Sequence, residues 1–158
     1  MRNLLIAAAV TACVAVFAQE AGPSIEPPAG ARLVLEAKGE GAQVYTCTDS
    51  QWKLKAPDAK LLDANGQVIG THFAGPTWRL IDGSEVKGKM VASQPAPDGK
   101  SIPWLLIEAV PGTGSGKFAT VAYIRRTETS GGAAPKEACT SGDLPVPYAA
   151  KYSFYASK

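Results

Sequence analysis

His72 is the only histidine in the chain, and it lies in a stretch that also carries a large aromatic side chain. His72 and Trp78 flank a Gly-Pro turn at residues 75–76, so two side chains with apolar and polar atoms stand beside a sharp bend. Residues next to turns on a rigid scaffold commonly form binding sites. We therefore expect His72 and Trp78 to line the main pocket, with Tyr45 and Asp82 as the next candidates.

A histidine can also act as a general base, because its pKa lies near neutrality. Asp82, Ser84 or Thr77 would be the neighbours of His72 in such a site, and the chemistry would be that of a small hydrolase or lyase. The simpler interpretation is a partly buried His72 that is hydrogen-bonded to backbone. No G-x-S-x-G motif is present to expose an activated serine. The sequence therefore assigns no catalytic residues.

Two further patterns exclude cofactor chemistry. Residues 111–118 form a glycine-rich segment, but Pro111 and Phe118 stand where a phosphate-binding loop needs glycine and a Ser or Thr. Once a signal peptide is removed, two cysteines and one histidine cannot complete a tetrahedral zinc site without carboxylates. The sequence therefore predicts no metal site and no cofactor.

The first residues predict a cleaved signal peptide, residues 1–18. A short positive start is followed by an apolar run from Leu4 to Ala18 and then by polar residues. That run is short for a membrane span, which takes about 20 residues. A bacterial lipoprotein signal is the alternative, because residues 10–13 have the small-residue-then-cysteine form and end at Cys13. We expect the protein to be secreted or periplasmic, without a membrane span.

Signal cleavage would leave two cysteines, Cys47 and Cys139. An even pair in an exported chain predicts a disulfide. Cys139 lies in a long turn-rich connection expected from Thr127 to Pro147, and a disulfide would hold that connection in place. A connection of this length is unusual in a compact domain.

Elements of the fold follow from hydrophobic periodicity. Apolar and polar residues alternate with a period of two, as in half-buried strands; clear examples are residues 33–37 and 148–156. A turn is expected at residues 39–41, and no helix-length stretch shows a 3.6-residue period. The sequence predicts an all-β, single-domain antiparallel β-sandwich or barrel of about ten strands at 31–158, after a flexible Pro/Gly-rich leader at 19–30.

Charge and aromatic content limit the partners. The formal net charge is +2, and loss of Arg2 with the signal peptide leaves 15 basic against 14 acidic side chains, a net charge of +1. We therefore expect no nucleic-acid partner. Trp52, Trp78 and Trp104 are most simply core residues, although two of them exposed on one sheet face would form a platform for sugar rings. The partner class predicted is an unidentified small molecule or carbohydrate.

Four segments occur in an order that resembles a known family: GAQVYTC (41–47), GTHFAGPTW (70–78), IPWLL (102–106) and VPYAAKYSFY (146–155). Together they are similar to the secreted bacterial and fungal family called domain of unknown function 3455. The resemblance implies export and a β-rich domain, and it supplies no catalytic residues. We predict a non-enzymatic binding or cell-envelope-associated module, with a small extracytoplasmic hydrolase or lyase that uses His72 as the alternative.

Overall fold

The computed structural model describes residues 23–158. These residues form eight strands and one short 3₁₀ helix at Gly116–Phe118. The strands are β1 (Arg32–Thr48), β2 (Gln51–Leu62), β3 (Val68–Phe73), β4 (Thr77–Leu80), β5 (Glu85–Gln94), β6 (Trp104–Ala109), β7 (Val121–Gly131) and β8 (Asp143–Ala156). The predicted signal peptide, the alternative lipidation of Cys13 and the start of the leader lie outside the described residues.

Each strand pairs antiparallel with the next, and β8 pairs with β1, so the sheet closes into a barrel. This confirms the predicted all-β antiparallel fold, with eight strands where about ten were expected. The number is lower because β1 runs straight through the turn expected at residues 39–41. Gly39 has no side chain there because a Cβ atom would lie 2.5 Å from the ring of Tyr152 on the neighbouring strand β8. Residues 23–158 include no helix of the length and apolar character needed to cross a membrane.

The strand order defines two ends of the barrel. Connections at residues 49–50, 74–76, 95–103 and 132–142 meet at one end, which we call the open end. The other three connections, at residues 63–67, 81–84 and 110–120, meet at the opposite end, which we call the Phe118 end. Consecutive connections of an up-and-down barrel alternate between its two ends, which is why residues close in sequence can lie far apart along the barrel axis.

Side chains fill the barrel at the Phe118 end. The 3₁₀ helix places Phe118 in the core, where its ring stacks on Phe154 with a centroid distance of 4.6 Å. Ile124, Val86 and Leu61 are fully buried in the same cluster. Interior positions of small barrels are normally filled in this way. The interior is therefore closed at this end by packed side chains, which we call the aromatic floor.

The part of the leader that is described packs on the outside of the barrel. Ile25 is buried against Ala92 and Leu106 in a small apolar cluster on the outer face. Glu26 forms an ion pair with Arg125 of β7. Residues 23–30 thus include an apolar side chain with a buried contact, which the Pro/Gly-rich composition of the segment does not reveal.

Cys47 and Cys139 form the predicted disulfide, with a Cα–Cα distance of 5.8 Å. It joins β1 to the connection at residues 132–142, which is shorter than the connection predicted from Thr127 to Pro147. Two backbone hydrogen bonds support the same contact: Cys47 N–H donates to Gly142 and Cys139 N–H donates to Ser50. The connection is thus held at the open end of the barrel.

Candidate functional site

A cavity of about 540 Å³ opens at the open end of the barrel. Its walls are mainly apolar, and two exposed side chains, Leu54 and Met90, stand among the residues that line it. The lining residues used below are Gln43, Tyr45, Pro57, His72, Trp78, Ile102, Leu105, Ile107, Arg126 and Tyr152. The cavity thus lies above the aromatic floor, inside a closed sheet.

His72 lies on β3, in the wall of this cavity, and is only 3% exposed. Its Nδ1 is 2.9 Å from the carbonyl oxygen of Thr77, so Nδ1 carries the proton and donates a hydrogen bond to that oxygen. The imidazole stacks on Trp78 with a centroid distance of 4.4 Å and an interplanar angle of 9°. Nε2 has no hydrogen-bond partner in residues 23–158, so it is an acceptor on the cavity side of the barrel.

Burial sets the charge state of His72. Loss of hydration lowers the pKa of the imidazole from its ordinary 6.5 to about 4, although the bond to the Thr77 carbonyl acts in the opposite direction and the charge of Arg126 lowers it further. The ring is therefore neutral at physiological pH. With a pKa near 4 it is a weak base, which does not suit general-base catalysis at neutral pH.

Trp78 lies on β4 and is fully buried. One face of its indole stacks on His72, and the rings of Tyr152 and Phe154 meet it edge-on at 5.7 and 6.0 Å. Gly88 on β5 gives the indole its space, because a Cβ atom there would lie 3.1 Å from the Trp78 ring and 2.3 Å from Ile107. The aromatic cluster is therefore packed tightly, with its orientation fixed by three neighbouring rings.

Tyr45 lies on β1 at the open end and is buried. Its hydroxyl donates to the carbonyl oxygen of Gly132 over 2.6 Å, which ties β1 to the connection that follows β7. Burial raises the pKa of this hydroxyl above its ordinary value, so it stays protonated. Tyr45 thus brings a rigid ring and a neutral polar tip to the cavity wall.

Asp82 lies away from the cavity, in the β4–β5 connection at the Phe118 end. Its carboxylate accepts a hydrogen bond from the backbone N–H of Ser84 over 2.9 Å and faces Lys117 at 3.6 Å. The bond from Ser84 lowers the pKa of Asp82. The structure therefore brings Tyr45, His72 and Trp78 together in one cavity and places Asp82 at the other end of β4.

Three further residues line the cavity that the sequence had not singled out as site residues: Gln43, Arg126 and Tyr152. Arg126 is half-buried, and its Nε and Nη2 both donate to the carbonyl oxygen of Pro103, over 3.1 and 2.9 Å. Gln43 is only 2% exposed. The available signal was strand alternation, because Gln43 shares a face with Tyr45, and Arg126 shares a face with buried Ile124.

The three tryptophans do not share a face. Trp104 packs against the outer apolar cluster that includes Ile25. Trp52, half-buried on β2, pairs with Cys47 and is not part of the cavity wall. Trp78 is fully enclosed. No two of them therefore form the flat platform that stacking of sugar rings would need.

Residues 23–158 contain no group of three or more His, Cys, Asp or Glu side chains placed to hold a metal ion. The hydrogen bond to Thr77 is the one that His72 makes within these residues, and no carboxylate stands among the residues that line the cavity. The chemistry available in the cavity is therefore recognition by apolar contact, by aromatic edges and by a few polar atoms.

Comparison with known proteins identifies the family of this chain. The model of the family described as "Protein of unknown function (DUF3455)" matches residues 28–156, and the chain belongs to that family. This confirms the resemblance carried by the four sequence segments. No curated protein and no solved structure matches the chain.

Proposed function

We propose that this protein is an exported, non-enzymatic binding module that holds one small, largely apolar molecule inside the open end of its barrel. The observation that carries the proposal is the cavity of about 540 Å³ above an aromatic floor. An eight-stranded barrel is just wide enough to be filled by side chains or to hold one small ligand. Pockets for small molecules typically measure about 300–1,000 Å³.

Rigidity of the wall supports binding. A closed sheet leaves no strand edge to fray, and the Tyr45 hydroxyl and the Cys47–Cys139 disulfide both tie down the connection at residues 132–142. A wall held in one shape loses little conformational entropy when a ligand binds, so more of the contact energy appears as affinity. The disulfide also supports export, because such bonds persist in oxidising compartments.

The state of His72 favours binding over hydrolysis or lyase chemistry. Its neighbours are a backbone carbonyl and two aromatic rings, and its lowered pKa keeps it neutral and weakly basic. The enclosed position of Trp78 likewise favours an apolar molecule over a carbohydrate, since its indole has no open face for a sugar ring. Leu54 and Met90 add apolar surface where the cavity meets solvent.

Filling the cavity with an added side chain is expected to weaken ligand binding. Pro57 lines the cavity wall on β2 and pairs with Gln43 on the inner face, so Pro57→Phe places a phenyl ring in the space that a ligand would use. The probe is the neutral, fluorescent N-phenyl-1-naphthylamine, whose emission rises in apolar surroundings. We expect one probe per barrel in the wild type, and an affinity lower by about tenfold or more in Pro57→Phe, as loss of one apolar subsite implies.

The matched control is Ala122→Phe, which adds the same ring at a half-buried strand position outside the cavity wall. It should bind the probe like the wild type. Urea unfolding of both variants shows whether each is folded under the binding conditions. The proposed function is wrong if the folded wild type binds neither this probe nor its anionic analogue 1-anilinonaphthalene-8-sulfonate, or if Pro57→Phe binds the neutral probe as tightly as Ala122→Phe.

A further inference from the structure

Arg126 is an arginine on the inner face of a small barrel, where most side chains are apolar. It lies on β7 opposite Tyr152 of β8 and Leu105 of β6. Its charge reaches across the interior, where it acts on the ionisation of Tyr45, His72 and Tyr152. A half-buried guanidinium is costly to desolvate unless it is paired with a charge or well hydrogen-bonded.

In residues 23–158, Arg126 lies within ion-pair distance of no carboxylate. Arg79 and Arg125 differ in this respect, because Glu85 and Glu26 bind them on the outside of the barrel. Two hydrogen bonds of Arg126 go to one neutral acceptor, the Pro103 carbonyl, and the guanidinium also lies near a second neutral group, the Tyr152 hydroxyl. A guanidinium has five N–H donors, so it keeps donors that a ligand can occupy.

The cavity wall as a whole is also positively charged. The charged lining residues are Arg126 and Lys55, and the lining includes no Asp or Glu. Lys55 is bound to Asp143 at 2.5 Å on the outside, which leaves Arg126 as the cation without a counter-charge. Low-dielectric walls focus the field of such a charge into the space they enclose.

Two buried polar atoms of residues that line the cavity also have no partner in the part of the chain that the structure describes. They are Oε1 of Gln43 and Nε1 of Trp78, on side chains that are 2% and 0% exposed and that both line the cavity. A buried polar group that makes no hydrogen bond costs free energy. The oxygen atoms of an acid group accept hydrogen bonds from donors such as the Trp78 indole N–H, which a pure hydrocarbon cannot do. Oε1 of Gln43 is itself an acceptor and needs an N–H or O–H donor instead.

We infer that the ligand of the barrel is an organic monoanion: an acid group, a carboxylate or one of its sulfonate analogues, binds Arg126, and an apolar body fills the space between Ile102, Leu105 and Ile107. The inference rests on the proposed binding function and narrows it to a chemical class. Arginine suits this role because its planar fork matches the two oxygens of an acid group.

Two probes with nearly the same body test the role of the acid group. 1-Anilinonaphthalene-8-sulfonate carries a sulfonate, whereas N-phenyl-1-naphthylamine has the same aromatic frame and no charge. We expect wild-type protein to bind the sulfonate more tightly by about tenfold or more, as a charge-assisted hydrogen bond implies. Arg126→Gln should remove that difference by weakening the sulfonate alone and leaving the affinity for the neutral probe unchanged.

Arg125→Gln is the matched control, because it removes the same charge from the adjacent residue, whose side chain pairs with Glu26 on the outer face. It should bind both probes like the wild type, and Pro57→Phe should bind both more weakly. Equal affinity of the wild type for the two probes, or unchanged sulfonate binding by folded Arg126→Gln, would overturn the inference and leave the proposed function standing. Binding of neither probe by the wild type would overturn both.

Discussion

Replacing both Cys47 and Cys139 with serine is expected to lower the free energy of unfolding by about 4–5 kcal/mol. The disulfide closes a loop with a sequence separation of 92 residues, so its loss greatly increases the conformational freedom of the unfolded chain. In the folded barrel the connection at 132–142 keeps its hydrogen bonds to Ser50 and Tyr45, so the fold itself should survive. Urea unfolding at equilibrium, followed by tryptophan fluorescence, measures the change.

Wild-type protein unfolded in the presence of a reductant is the control for this result, and it should match the double serine variant. Thiol labelling of the unreduced, denatured wild type should find no reactive cysteine in the mature chain. Two reactive thiols, or a stability difference below about 1 kcal/mol between oxidised wild type and variant, would contradict the prediction.

Acidification from pH 7 to pH 5 is expected to cost the barrel about 2 kcal/mol of stability through His72 alone. The unfolded chain takes up a proton near the ordinary pKa of 6.5, whereas burial holds the pKa of His72 in the barrel at about 4. Because the unfolded state binds more protons in this window, stability is complete above 6.5 and is lost as the pH falls toward 4. Asp98, whose pKa is lowered to about 2 by Ser101, loses its contribution only at lower pH.

The test compares the pH dependence of unfolding in the wild type and in His72→Asn. The asparagine amide can donate to the Thr77 carbonyl in place of Nδ1, but it does not titrate. The variant should be less stable at pH 7 because it lacks the stack on Trp78, yet its stability should change little down to pH 5. The same slope in both proteins, or a His72 NMR titration centred near 6.5, would show that the imidazole is not held neutral by burial.

The all-β fold could be predicted because strand alternation is local, whereas closure of the barrel could not. Closure depends on the pairing of β1 with β8, whose residues are far apart in sequence. Gly39 shows how a local signal misleads: it lies inside a strand, and it is glycine because the Tyr152 ring occupies the space of a side chain. Glycine in a strand marks either a bend or a close approach, and sequence alone does not separate the two.

The candidate site was predictable in part for a similar reason. His72 and Trp78 pair directly across β3 and β4, as their positions around one tight turn required. Asp82 follows Trp78 closely in sequence, but β4 carries the chain away from the open end, so Asp82 lies at the other end of the barrel. Arg126 lies on the same strand face as Ile124, so strand alternation alone would have placed it inside the barrel. Charged residues are seldom buried, and for that reason the sequence did not suggest Arg126 as a cavity residue.

The most direct test of the central claim, that the open end of the barrel is a binding cavity, is an NMR titration of the indole N–H groups. Trp52, Trp78 and Trp104 each give one such signal, and single tryptophan-to-phenylalanine variants assign them. On addition of 1-anilinonaphthalene-8-sulfonate, the Trp78 signal should shift and saturate at one probe per barrel, because Trp78 lines the cavity. The Trp104 signal, on the outer face, should stay in place. A Trp78 signal that does not move while the probe binds, or a shift of Trp104 alone, would contradict the account.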